Sequence, residues 1–184
     1  MAEKTSWYAL KIFYNKVIAL KARLEEHGFE CYCALDADGK PAVSQLLFVR
    51  CTESQLTGYS RIAPQDIKFV AYTRKEQRAS QLDEKLIEMD VPAPIPENEM
   101  RAFILVTSAS PDTYEVLGPD QPKYHTGQKV RVTEGNFAGC EGYVKRIKKD
   151  RRLVITVTGI VAVATVHIDP AYLEPVNDET ENDK

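Results

Sequence analysis

Apolar and polar positions change their period several times along the chain, and each change predicts an element. The opening SWYALKIFYN is mostly apolar and aromatic with partial alternation, which predicts a strand over 7–13. From residue 17 the period becomes helical. Val17, Leu20 and Leu24 share a face with Ile18 and Ala22, Asn15 is placed to cap the start, and Gly28 is the expected terminator. FECYCAL then predicts a second strand, DADGKPA a turn, and SQLLFVRC a third strand. Thr52 with Gln55 three residues on forms a capping-box signature ahead of a short helix through Leu56 and Tyr59. IKFVAYT at 67–73 predicts a fourth strand, and Ala79, Leu82, Leu86 and Met89 fall on one stripe of a helix over 76–89. VPAPIP forces extended chain. Pro96, Glu97 and Glu99 then suit a helix start whose buried stripe is Met100, Phe103, Ile104 and Thr107. Together these make an α+β unit with one antiparallel sheet.

The second half has a different texture. SASPDTYEVLGPDQPKYH carries three prolines and few periodic aliphatics, and it reads as a linker over 109–124. VRV, EGYVKRI, RLVITVTG and AVATVHI follow as short β runs separated by turn signals, the pattern of a small antiparallel barrel over 125–176. The polar, acidic residues 177–184 read as a disordered tail.

Charge sharpens this division. The formal net charge of -3 covers a surplus of acid over 1–118, a basic surplus over 119–176, and a tail with four acids against one lysine. The basic surplus is concentrated in KRIKKDRR at 145–152, where six of eight residues are cationic, so that this segment raises local positive potential. Four cysteines at 31, 33, 51 and 140 are too few and too irregular for a secreted disulfide framework, and no apolar run approaches the roughly 20 residues of a membrane span. The expectation is a soluble cytoplasmic protein with reduced thiols and no membrane partner.

Candidate chemistry is sparse. His27, His125 and His167 fall in a helix terminus, a linker and a strand, without paired metal spacing. Cys31 and Cys33 share a strand face but lack a second ligand pair, and Asp36 with Asp38 belongs to ordinary turn chemistry. No catalytic residue, metal or cofactor is expected. VRVTEGNFAGCEGYV at 130–144 puts three glycines into eight positions, yet a strand-like YVKRI follows where a phosphate cradle needs a helix. The glycines therefore read as architecture. Gly135 with Glu134 turns the chain, Gly139 permits a second tight bend, Gly142 admits a neighbouring backbone, and Phe137 fills the interior.

Gly127, Val130, Arg131, Val132, Gly135, Phe137, Gly139, Gly142 and Val144 resemble a KOW motif, the signature of small SH3-like barrels in transcription elongation factors and ribosomal proteins. Preceded by WYALKIFYNKVIALKARLEEHGFECY, this arrangement resembles the NusG family over residues 6–176. Within it, LLFVRC, IPENEM and GIVAVATVHIDPAYLEPV look like the UpxY-like specialised antiterminators of capsular polysaccharide operons. The resemblance implies an NGN-like N-terminal domain over 1–108, an antiparallel sheet with flanking helices, linked to the C-terminal SH3-like β-barrel. It implies a non-enzymatic factor that grips the clamp helices of the largest catalytic subunit of RNA polymerase and suppresses pausing or termination.

The family's docking patch maps onto Val43, Leu46, Phe48, Tyr72, Met100 and Phe103, expected as a partly exposed apolar hollow. Leu46 and Phe48 are two apart on a strand, and Met100 and Phe103 share a helix face. Where the family carries a Phe-Pro-Gly-Tyr-like stretch, this chain has Val43, Ser44, Gln45 and Leu46. Non-template DNA or nascent RNA is a further candidate partner, through Arg50, Arg61 and Lys68 of the first unit and Lys145, Arg146, Lys148 and Lys149 of the basic hairpin. The barrel is the candidate seat for a second protein. Its stretch at 159–164, GIVAVA, has neither the aromatic nor the arginine of the family's docking loop, which argues against Rho. The alternative reading is a KOW-type RNA- or ribosome-binding protein.

Overall fold

The computed structural model describes residues 3–62, 66–79, 86–147 and 149–176. It is a mixed α+β structure whose sheets are antiparallel. Contacts divide the chain into two units: residues 1–33 with 44–96, and residues 34–43 with 97–184.

The first unit contains β1 (Ser6–Ile12), α1 (Val17–Glu26), β2 (Glu30–Tyr32), β3 (Leu46–Cys51), α2 (Glu53–Ile62), β4 (Phe69–Ala71), β5 (Thr73–Ala79) and β6 (Leu86–Pro92). Four strands form a sheet in the order β2-β3-β1-β4. The β1–β3 ladder runs from Ser6 opposite Cys51 to Lys11 opposite Leu46. Because side chains alternate across a strand, Tyr8, Leu10, Ile12, Leu47, Val49 and Cys51 point to one face. There they pack with Val17, Leu20 and Leu24 of α1 and Leu56 and Tyr59 of α2.

The local signals account for most of these boundaries. Gly28 ends α1 at φ +81°, and Asp36 accepts from the amides of Asp38 and Lys40 at 2.9 Å to close the DADG turn. Thr52 and Gln55 form the reciprocal capping box: the Gln55 amide donates to Thr52 Oγ1 at 3.2 Å and the Thr52 amide to Gln55 Oε1 at 2.9 Å. Asn15 does not cap α1. It sits at φ +54°, and Lys16 precedes the helix without a side-chain cap.

Three further expectations are corrected. The helix expected over 76–89 is instead the hairpin β5–β6, in register from Thr73 opposite Pro92 to Ala79 opposite Leu86, with 80–85 outside the described residues. The hairpin adds cross-strand charge pairs, Lys75 with Asp90 at 3.2 Å and with Glu88 at 3.7 Å, which a helical arrangement of the same stripe would forgo. Leu86, Ile87 and Met89 are exposed on it, so no core rewarded the helical period. The expected linker is also structured, because Tyr114–Gly118 forms β7, paired with β11. Finally, the contact division groups Glu97–Thr107 with the second unit, whereas the sequence reading closes the first unit at 108.

The second unit holds α3 (Glu97–Thr107), β7 (Tyr114–Gly118), β8 (Lys129–Val132), β9 (Glu141–Ile147), β10 (Asp150–Val157), β11 (Val161–His167) and β12 (Leu173–Pro175), with sheet order β12-β8-β9-β10-β11-β7. Val130, Val132, Leu153, Val154, Ile155, Val157 and 161–164 are buried, and Phe137 is closed in at 8% exposure. Alpha-helix α3 packs on β10. Glu99 accepts from the Thr158 amide at 2.8 Å and from its hydroxyl at 2.9 Å, and the Cys140 thiol lies 3.9 Å from the Ala102 carbonyl oxygen. The expected tail at 177–184 lies outside the described residues.

The glycines bear directly on the phosphate question. Gly139 turns the β8–β9 connection at φ +87°, its amide donating to Val132 O at 2.7 Å, and the segment that follows is a strand. At Gly142 a Cβ would stand 2.3 Å from the Val154 carbonyl oxygen, so β9 and β10 meet there only because a side chain is missing. Gly142→Ala is expected to destabilise the chain by at least about 1–3 kcal/mol, whereas Gly58→Ala, in the interior of α2 with nothing within 4 Å, should stabilise it by about 1 kcal/mol. Urea midpoints of the two variants check the opposite signs.

Candidate docking face and basic hairpin

The register of the first sheet decides which expected docking residues come together. Residues directly opposite across antiparallel strands share a face. Phe48 stands opposite both Ala9 and Tyr32, Leu46 opposite Lys11, and Lys11 opposite Val70. Tyr72 donates its amide to Ala9 O at 2.9 Å, which extends the β4 register by one residue and puts its ring on that face as well. Leu46, Phe48 and Tyr72 therefore do share one face, opposite to the side covered by α1 and α2.

That face grades from closed to open. Trp7, Ala9, Leu46 and Phe48 are 5% exposed or less, Tyr72 and Tyr32 are half-buried, and Val70 at the β4 edge is 47% exposed. The expected open hollow is thus corrected for its two strand residues. β3 is an interior strand of the sheet, flanked by β2 and β1, and its burial is continuous from Leu46 to Val49. Met100 and Phe103 are buried too, at 0%, in the second unit, while Val43 is half-buried there. Val70 was missed by the sequence reading, although its place between Phe69 and Ala71 in an alternating strand marks it as the outward residue.

Of the first unit's candidate nucleic-acid contacts, Arg50 and Lys68 are engaged internally and Arg61 is open. Arg50 pairs with Glu30 at 3.3 Å and lies over the Trp7 ring at 6.0 Å, as their shared position opposite one another dictates. Lys68 and Lys11 flank the Phe13 ring at 5.4 and 5.7 Å, and Arg61 is exposed in the last turn of α2. Asp66 grips Arg23 at 2.8 and 3.1 Å, and that hydrogen bonding holds its carboxyl below the usual carboxylate range.

The basic segment at 145–152 forms the facing strands of a hairpin. Lys149 sits at φ +77° in its turn, and Lys148 lies outside the described residues. Lys145 is not free for a partner, since its ammonium donates to the Thr126 carbonyl and, at 2.6 Å, to the Thr126 hydroxyl. Arg152 is likewise engaged, with Glu115 at 2.8 Å. Arg146 and Arg151 stand directly opposite each other. The KOW-like positions are structural: Val130 and Val132 are buried, Arg131 pairs with Glu141 at 2.5 Å, and Gly127 and Gly135 take positive φ.

Two cavities lie in the second unit. One of about 150 Å³ is lined by Gln128, Val130, Arg151, Leu153, Ile168 and Leu173. The other, about 110 Å³, is lined by Glu99, His125, Glu141, Tyr143 and Thr158 among others. His125 contacts both oxygens of Asp120 at 2.8 Å, and Asp120 also accepts from the Gly159 amide at 2.8 Å, so this pair fastens the β10–β11 turn. Among the described residues no group of three His, Cys, Asp or Glu side chains is placed to hold a metal ion, and no helix is long and apolar enough to cross a membrane. No family model and no curated protein matches the chain.

Among the described residues all four cysteines are reduced. Burial pushes the Cys31 thiol up to about 12 and those of Cys33, Cys51 and Cys140 up to about 11. A thiol raised in the folded state favours folding below its unfolded value, and that contribution is lost as pH rises from about 9 toward 11. The melting temperature should therefore fall over this window, and fall less steeply in a Cys51→Ala, Cys140→Ala double variant. Equal slopes in the two proteins would refute the assignment.

Proposed function

We propose that the chain is a non-enzymatic transcription elongation or antitermination factor of the NusG type. It docks on the clamp helices of the largest catalytic subunit of RNA polymerase, in the cytoplasm, and acts on an operon of the capsular polysaccharide type. The observation that carries this reading is the shared sheet face of Leu46, Phe48 and Tyr72, with Val70 open beside them. An apolar face that reaches solvent at one edge is the kind of surface on which a coiled-coil partner can seat. The second unit supports the KOW half of the reading. Its glycines serve strand approach and turning, and the six-stranded sheet they permit is consistent with an SH3-like barrel.

Mechanism then reduces to differential affinity. A factor that makes and breaks no bond shifts polymerase between elongating and paused states only by binding one better than the other. Because Phe48, Met100 and Phe103 are buried, a contact made through their side chains requires local opening, and apparent affinity falls by the fraction of molecules that are open. The rim residues Val70 and Tyr72 are reachable without that cost. The family's stretch for Rho has no counterpart in residues 159–164, and Val161 and Val163 are buried, so Rho is not part of the proposal. The alternative, an RNA- or ribosome-binding KOW protein, places affinity in charge and predicts steep salt dependence.

The test is retention of core polymerase by the immobilised full chain, followed by a readthrough assay. Val70→Asp and Tyr72→Ala, at positions that are not fully buried, should each weaken retention about tenfold, equivalent to about 1.4 kcal/mol, with the melting temperature little changed. Retention of wild type should survive moderate salt. Equal retention by all three proteins, or retention that disappears with salt while RNA binding accounts for the affinity, would overturn the reading. Phe48→Asp is not a binding test, since at 1% exposure it buries a charge and should unfold the first unit.

A further inference from the structure

We infer that the β9–β10 hairpin carries a phosphate-binding site for duplex DNA, built on Arg146 and Arg151 with Lys149 beside them. The inference stands on the second unit alone and does not depend on the polymerase reading.

The first observation is the pairing itself. Arg146 and Arg151 occupy directly opposite positions of an antiparallel ladder, where like charges repel. Arg61 and Arg101 stand exposed on helices without an opposed cation, while several arginines elsewhere are matched to carboxylates: Arg23 to Asp66, Arg78 to Glu53, Arg131 to Glu141 and Arg152 to Glu115. Among the described residues Arg146, Arg151 and Lys149 have no such partner, and all three are exposed. Asp150 lies in the same tip, but its position opposite Ile147 leaves the arginine pair uncompensated.

The second observation is what has been removed from the site. Lys145 and Arg152, the next pair down the ladder, are held by Thr126 and Glu115. The remaining cations therefore form a compact group at the tip, while the pair behind it braces the hairpin. Directly opposite positions put the two arginines on one face of the hairpin, and a phosphate placed between their guanidinium groups turns a repulsion into two charge-assisted contacts.

The third observation selects the duplex. Single-stranded nucleic acid binders need rings on which bases stack. The described residues of the tip, Arg146, Ile147, Lys149, Asp150 and Arg151, include no aromatic side chain, and Tyr143 is half-buried with its ring against His125 at 5.8 Å. A tip that offers cations and no ring suits a double helix, whose bases are stacked already and whose phosphates alone face outward. A two-stranded ribbon also has dimensions that a DNA groove admits. Contacts of this kind position a protein without reading sequence.

Fluorescence anisotropy of the full chain with a labelled DNA duplex, across a salt series, tests the site. Log affinity should fall linearly with log salt, and Arg146→Ser and Arg151→Ser should each lower the slope by about one and the affinity about tenfold near 0.1 M salt. Arg101→Ser, an exposed arginine on α3, should change neither. The single replacements should also leave the melting temperature equal or higher, because each relieves the opposed pair, so that lost binding cannot be ascribed to unfolding. Unchanged duplex affinity in both variants overturns the site. Tighter binding of the single strand, or of an RNA of the same sequence, overturns the assignment to duplex DNA.

Discussion

The ladder between β1 and β3 is the constraint on which the first unit depends. Six consecutive pairs lock two strands that are buried on nearly every residue, so a slip of one position would turn Leu10, Ile12, Leu47 and Val49 away from α1 and α2. The same register fixes the other face. Phe48 is brought opposite Ala9, the smallest residue on β1, which leaves room for the ring, and Arg50 is brought over Trp7. Side-chain size and register together therefore place the proposed docking residues, and the face closes in its middle and opens at the β4 edge.

In the second unit a missing side chain plays the corresponding part. β9 and β10 approach at Gly142 more closely than any Cβ allows, near the base of the ladder that ends in the basic hairpin tip. The Lys145 and Arg152 contacts then stiffen its base. What reaches solvent at the far end is a group of cations with their backbone already fixed, which lowers the entropy lost when an anion binds.

Much of the fold was legible because its signals were local. The capping box at Thr52 and Gln55, the Gly28 terminator, the Asp36 turn and the two valines of β8 each follow from a residue and its near neighbours. The misread helix at 76–89 and the misread linker share a cause, since each depended on a distant partner. Leu86 and Met89 fit a helical stripe as well as a strand, and only Lys75 with Asp90 and Glu88 across the hairpin favours the latter. β7 was hidden by prolines on either side, and its identity comes from β11, some 45 residues on. Leu46 and Phe48 were correctly assigned to one face. Whether that face was open could not follow from alternation, because an apolar residue alternates alike on a covered and an uncovered side.

Among the described residues the β5–β6 ribbon pairs with no third strand, and of those on its two strands only Val91 is buried. Two-stranded ribbons are marginal by themselves. This one is tethered to α2 by the two-pronged contact of Arg78 with Glu53 and stitched along its length by Lys75 and Arg74 with their acids. Beyond its backbone ladder, its order thus leans on charge pairs where that of the neighbouring sheet is hydrophobic. Rising ionic strength would loosen the ribbon while leaving the sheet intact, so the two parts of one unit can melt on separate schedules.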